Sequence, residues 1–231
     1  MVKETKEPQY QDLFDIQEQF GFARFGLMSN QVWHDDPKRL VFVLSRYKFV
    51  AKMLTGKQHV LEVGCGDAFA SRIVRQEVTA LTVTDFDPLF INDAKQIQST
   101  KWPVEAIVHN LMEGPLPGNF DAAYSLDVLE HIDPADEHVF IKNLCASLTD
   151  NATCIIGMPS LQSQSYASEY SRLGHINCKD MPNFRNLMQD YFESVSMFSM
   201  NDEVVHTGFH PMAHYLLALC SVKKDRGPSN G

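Results

Sequence analysis

Residues 59–67 read His59-Val60-Leu61-Glu62-Val63-Gly64-Cys65-Gly66-Asp67, and Asp85 stands nineteen positions after Gly66 at the close of a second apolar run. Val60, Leu61 and Val63 predict a short buried strand. It passes straight into two glycines, whose missing Cβ lets backbone approach a ligand. Residues 68–76 predict a helix and residues 80–83 the next strand, which ends at Asp85. A strand, glycine turn, helix, strand and terminal carboxylate make a nucleoside-binding half-site, with the acid placed to accept hydrogen bonds from two ribose hydroxyls. A dinucleotide fingerprint, Gly-x-Gly-x-x-Gly, needs a third glycine where Phe69 stands. That glycine packs helix on strand beneath a pyrophosphate, so the sequence argues against NAD or FAD.

The run Glu62-Val63-Gly64-Cys65-Gly66-Asp67-Ala68 resembles motif I of the class I S-adenosylmethionine (SAM) dependent methyltransferases, commonly Glu/Asp-x-Gly-x-Gly-x-Gly. Ala68 replaces the last glycine. Asp85-Phe86-Asp87-Pro88 resembles the second motif, and Asn110-Leu111 stands where the family usually carries an Asp beside the adenine. Asn keeps an acceptor oxygen and adds donors, so an adenine amino group can still be met. Phe120–Leu126 with Asp127-Val128-Leu129-Glu130-His131-Ile132 resembles the fourth-strand motif, and Gly157-Met158-Pro159-Ser160 the end of the fifth strand. The resemblance covers residues 59–160 firmly and 161–222 loosely. In the cofactor half the chain is similar to ubiquinone-type O-methyltransferases and to methyltransferases that decorate bacterial sugars and natural products.

The alternation of strands and helices predicts an α/β fold with a parallel sheet covered on both faces. The resemblance adds a Rossmann-like, seven-stranded, mostly parallel sheet whose last strand is antiparallel. Residues 1–55 are expected to form an N-terminal helical cap or lid. Residues 56–222 form the SAM-binding domain, with 161–192 as an acceptor-side insertion, and 223–231 a flexible tail. Residues 10–20 predict an amphipathic helix and 21–33 an aromatic-rich stretch. Asp36 and Pro37 supply an N-cap and a first helical residue for a helix to about Leu54, ended by Gly56. Asp87-Pro88 and Asp133-Pro134 repeat that capping logic, predicting helices over 88–98 and 134–148. Strands are expected at 104–108, 120–125, 152–157, 193–200 and 213–222, with a further helix at 181–190.

The cofactor implied is SAM, released as S-adenosylhomocysteine (SAH). The resemblance implies that Gly64, Cys65 and Gly66 bring backbone to its methionyl portion. Asp85 would take the ribose hydroxyls, Phe86 would pack on adenine, Asn110 and Leu111 would border it, and Leu126 would lie near the methionyl chain. Arg46 is a partner for the cofactor carboxylate or a structural ion pair, and Glu62 touches cofactor or organises the loop. The sulfonium methyl is already a strong electrophile, so the protein's tasks are positioning, exclusion of water and, for a hydroxyl acceptor, removal of a proton. His131 and Asp127, just after the fourth strand, are the candidate catalytic residues. His175 and Trp33 are the candidate acceptor contacts, Trp33 as part of an aromatic lid that could equally be core.

The whole sequence of 231 residues, 44% hydrophobic, suffices for one domain with a small cap. A net charge of −9 lacks the basic face that tracking phosphates requires, so nucleic acid is not an expected partner. A small-molecule acceptor is expected instead. Five cysteines without regular spacing suggest reduced thiols and a cytoplasmic setting. No leader or membrane span is expected. His206, His210 and His214 stand at helical spacing, but Pro211 would break such a helix, and no metal is expected. A dimer closed by the N-terminal helices is compatible with the pattern. Two other functions fit the same half-site: an aminopropyl transferase, served by acids at Asp121, Asp127, Glu130 and Asp133, and a non-catalytic SAM-binding module. SAM-dependent transfer of a methyl group to an oxygen of a hydroxylated ring or sugar is the reading these features favour.

Overall fold

In the computed structural model, which describes residues 4–224, the strand read from residues 59–63 is the axis of a twisted sheet. β1 (His59–Val63) turns Leu61 and Val63 into one apolar layer and Val60 into the other, because side chains alternate across a strand. β2 (Ala80–Asp85) and β4 (Phe120–Leu126) flank it in parallel. β3 (Glu105–Val108) continues the sheet beyond β2, and β5 (Leu148–Pro159) continues it beyond β4, again in parallel.

The far side is antiparallel. β8 (Tyr215–Lys223) lies between β5 and β6 (Phe192–Asn201), and β7 (Val204–His206) folds back on β6 at the edge. The order β3-β2-β1-β4-β5-β8-β6-β7 thus holds the seven expected strands, with β8 antiparallel, and adds an eighth. The addition is a three-residue strand made by a hairpin at Asp202, whose φ of +47° turns the chain back on itself. Three residues carry no periodicity, so only the pairing defines it.

Helices cover both faces. α3 (Pro37–Met53) starts where Asp36 accepts a hydrogen bond from Lys38 N at 3.1 Å, with Pro37 at its first position. α5 (Pro88–Gln96) repeats the device with Asp87 and Leu89 N at 2.8 Å. α6 (Glu137–Ser147) begins three residues later than expected, because Asp133 caps a separate turn by accepting from Ala135 N. α4 (Ser71–Arg75) is also shorter than the sequence suggests. Ala68 takes a left-handed φ of +53° and Asp67 Oδ1 accepts from Phe69 N, so the loop runs on before the helix can start. α7 (Glu169–Gly174), capped by Ser168, and α8 (Met181–Gln189), capped by Asp180, follow β5 within the expected insertion.

In the cap, α1 (Asp12–Phe20) is followed by α2 (Leu27–Asp35), a helix that begins inside the stretch read only as aromatic-rich and runs two residues past it. The N-cap of α2, Gly26, offers no side chain. Its first amides are met instead by distant carboxylates, Asp93 accepting from Leu27 N at 2.6 Å and Asp67 from Ser29 N at 2.7 Å. The expected tail of residues 223–231 lies outside the described residues beyond Lys224, while Lys223 still pairs with Phe192 of β6. All five cysteines are free. Among the described residues no helix is long and apolar enough to cross a membrane.

Glu62 ties cap to sheet. Its two carboxylate oxygens accept from Tyr47 of α3 at 2.9 Å and from Tyr124 of β4 at 2.7 Å, and the two rings meet edge to face at 6.0 Å. Burial raises the Glu62 pKa above its ordinary 4.5, and the neighbouring hydroxyl donors pull it back only in part. The folded state therefore holds this proton more tightly than the unfolded chain. Its contribution to stability is greatest at low pH and falls as pH rises from 4.5 through the folded value. Glu62→Gln removes that dependence, so thermal melts at pH 5 and pH 8 are expected to show wild type losing stability relative to the variant as pH rises. Parallel pH profiles would refute this.

Candidate functional site

Three chain reversals at the carboxyl edge of the sheet make the site. After β1 the chain enters Gly64 with φ +77° and Gly66 with φ +53°, conformations that cost glycine nothing. Space is as short as torsion there. A Cβ on Gly64 would overlap Val128 Cγ2, and one on Gly66 would overlap Met28 Sδ. The Gly64 and Cys65 amides both donate to Thr84 O, and Gly66 N donates to Asp85 Oδ2 at 3.1 Å, so the end of β2 holds the loop. Asp85 Oδ1 accepts from Asp87 N at 3.0 Å. Each carboxylate oxygen keeps a further lone pair for a ligand.

A cavity of about 600 Å³ opens at this edge, beside the switch point between β1 and β4 where open α/β sheets bind ligands. Gly64, Gly66 and Asp85 form its floor; Phe86, Phe90, His109, Asn110, Leu111 and Met112 form one wall; Asp127, Val128, His131, Ile132 and Phe140 form the other; and Met28 of α2 lies over the loop. Phe86 is exposed and free to pack on a planar ring. Asn110 is held by its own turn, Oδ1 accepting from Met112 N and Nδ2 donating to Glu113 Oε1. A glycine cradle with no room for side chains, a carboxylate at the next strand end and an apolar wall beside them suit a nucleoside with a short polar tail, and so fit SAM.

The second wall carries the candidate chemistry. Asp127 takes a left-handed φ of +57°, and its Oδ2 accepts from Arg46 Nη1 at 2.6 Å. Strain of this kind in a non-glycine residue gathers at functional sites. His131 lines the cavity, with Nδ1 2.8 Å from Gly174 O. A carbonyl only accepts, so Nδ1 carries the proton and Nε2 is left as an acceptor. The His175 ring lies 5.2 Å away, its Nδ1 3.0 Å from Gln164 Oε1. Burial first, and then the proximity of His131, hold the His175 pKa below its ordinary value, which keeps the ring neutral. Glu130 is wholly buried, and neither carboxylate oxygen has a partner. Burial and then the charge of Asp127 push its pKa well up, against a pull downward from Arg46.

The structure thus gathers Gly64, Gly66, Asp85, Phe86, Asn110, Leu111, Asp127 and His131 around one cavity, with His175 against His131. Besides His175, five of the residues singled out in the sequence do not line it. Glu62 is sealed beneath the loop between two tyrosines, and the Cys65 thiol turns into the core, where burial pushes its pKa up. Leu126 is buried with Cδ2 facing Gly157. Arg46 stands behind Asp127, its guanidinium 3.8 Å from the Tyr215 ring centre, and reaches the cavity only through that carboxylate. Trp33 packs on Phe25 at 5.6 Å, outside the cavity, and Met28 on the same helix takes the covering position. The spaced histidines do not share a helix: His206 is in β7, His210 in a 3-10 turn, and His214 accepts from Asp202 N. Sequence reasoning passed over Met28, Phe90, His109, Met112, Val128, Ile132 and Phe140, whose apolar or aromatic character reads locally as ordinary core.

Known proteins share this fold. The family model described as a methyltransferase domain matches residues 32–192, more than half of the chain. No curated protein matches the sequence. Among solved structures, N-methyltransferase NodS from Bradyrhizobium japonicum WM9 is 16% identical, with a TM-score of 0.60 over 82% of this chain and 99% of that one. The plantazolicin methyltransferase BpumL, solved with SAH, is 11% identical, with a TM-score of 0.62 over 84% of this chain and 88% of that one. A chain in the complex of the Haloferax volcanii Trm112 methyltransferase activator with a methyltransferase is 14% identical, with a TM-score of 0.67 over 86% and 97%. At such identities these three show likeness of fold, and the family match carries the assignment. The chain belongs to the methyltransferase domain family and is a class I SAM-dependent methyltransferase.

Proposed function

We propose that the protein methylates an oxygen of a small hydroxylated acceptor, a ring or a sugar. The observation that carries this reading is His131, an imidazole on the cavity wall whose Nδ1 is committed to Gly174 O, leaving Nε2 to receive a proton. An amine acceptor, neutral when it reacts, has less need of such a group.

Bound SAM supplies a methyl group that is electrophilic without further activation. The chain's own contributions are positional. Gly64 and Gly66 present backbone to the methionyl portion, and Asp85 accepts from the ribose hydroxyls. Phe86 packs against adenine, while Asn110 and Leu111 border it. Asp127, fixed by Arg46, orients the acceptor hydroxyl, and Met28 with the apolar wall excludes water. His175 stands beside His131 on the acceptor side. Arg46 and Glu62 support the site from behind.

Calorimetric titration of SAH tests the cofactor half. Asp85→Ala is expected to weaken binding at least tenfold, about 1.4 kcal/mol, in a protein that still folds; unchanged affinity would remove Asp85 from the ribose. For the acceptor half, SAM with a carbon-labelled methyl is supplied with hydroxylated-ring, sugar and amine acceptors, and the labelled product is read by NMR. A methoxy carbon together with SAH is expected, and His131→Ala is expected to lower kcat about a hundredfold without weakening SAH binding. An N-methyl carbon would overturn the oxygen reading. Methylthioadenosine in place of SAH would point to aminopropyl transfer, and SAH binding without any product to a binding module.

A further inference from the structure

Positioning and proton removal leave one residue behind the acceptor wall unexplained. The Glu130 carboxylate is fully buried, and neither oxygen has a hydrogen-bond partner. A buried carboxylate without a partner is strongly disfavoured unless a proton or a cation joins it. Arg46 acts on it only through space, since its short contact is made to Asp127. One donor atom from each of Glu130, His131 and His175 lies within 4.8 Å of the others. Both imidazoles spend Nδ1 on an oxygen that only accepts, Gly174 O at 2.8 Å and Gln164 Oε1 at 3.0 Å. The nitrogens left over are lone-pair donors, so three acceptors converge with nothing between them. Histidines that ligate metals are held in the same way, the second ring nitrogen donating to a carbonyl or carboxylate.

We propose that Glu130, His131 and His175 hold one divalent first-row transition-metal ion at the acceptor end of the cavity, leaving its remaining positions to the acceptor's oxygens. Two imidazoles and one carboxylate favour ions of the Mn²⁺ to Zn²⁺ range over Mg²⁺ or Ca²⁺, which prefer all-oxygen sites. Asp127 is outside the set, since Arg46 already occupies it. This departs from the expectation of no metal, which rested on the electrophilic methyl of the sulfonium and on the spacing of the histidines at 206, 210 and 214.

The site stands on its own geometry, whereas its task rests on the oxygen reading above. Coordination lowers the pKa of an acceptor hydroxyl. The proton leaves to solvent, the oxygen's electron pair forms the bond to the methyl carbon, and the carbon–sulfur bond breaks with its pair kept by sulfur. The ion keeps its oxidation state. With the ion bound, Nε2 of His131 is a ligand and takes no proton itself, so His131 serves the acceptor through the ion in place of direct proton removal, and an acceptor with two neighbouring oxygens binds better than one with a single hydroxyl.

The test is calorimetric titration of MnCl₂, and separately of ZnCl₂, into EDTA-dialysed wild type, Glu130→Gln and His175→Ala, with SAH titrated into the same preparations. One ion per chain is expected in wild type, with affinity at least tenfold weaker in each variant and SAH binding retained. His175 is only partly buried, so His175→Ala keeps the comparison open if Glu130→Gln fails to fold. A wild type that binds SAH and neither ion overturns the proposal, as does ion binding that the variants keep. An ion bound here alongside an N-methylated product would leave the site standing and remove the oxygen reading alone.

Discussion

Two tyrosine hydroxyls close on the buried carboxylate of Glu62 from opposite directions, one from α3 and one from β4. A hydrogen bond contributes about 0.5–1.5 kcal/mol net, and losing one of these would strand a polar group in a dry layer. The pair therefore ties α3 to the sheet at a set depth, while the backbone ladder holds β1 beside β4. This matters to the site because α3 carries Arg46, which holds Asp127. A carboxylate that never lines the cavity thus helps to place the helix that steadies one of its walls.

How much of this is legible in the sequence depends on how local each cause is. The strand at 59–63, its glycines and Asp85 follow from nearest neighbours in the chain, as do the Asp36-Pro37 and Asp87-Pro88 helix starts, and all were readable. The helix α2 was not, because the carboxylates that satisfy its first turn come from Asp67 and Asp93 and only folding brings them there. β7 exists by pairing alone. Residues 68–70 look helical by composition, yet the left-handed Ala68 keeps them in the loop. Site residues divide in the same way. Asp85 and His131 are announced by their place after strands, whereas the meeting of His131 with His175, or of Arg46 with Asp127, joins segments far apart in sequence and has no local signature.

The two sides of the cavity are built on different principles. The floor is mostly backbone: glycines without side chains and a carboxylate at a strand end, a form suited to a nucleoside. The far wall uses side chains carried by the turn after β4 and by the segment around α7, elements whose conformation other folds of this class are free to vary. Its polar residues also hold the unusual physical states of the molecule, a left-handed aspartate, a buried unpaired glutamate and a neutral histidine. A stable sheet can carry such costs because so much apolar surface is buried on both of its faces.

The mooring of α2 also joins the cap to the glycine loop. Met28 lies against Gly66, and the first amides of its helix are gripped by Asp67, within the glycine loop, and Asp93, on α5. A helix start without a cap of its own thus borrows two carboxylates from the domain it covers, and α2 cannot shift over the loop while those short contacts hold.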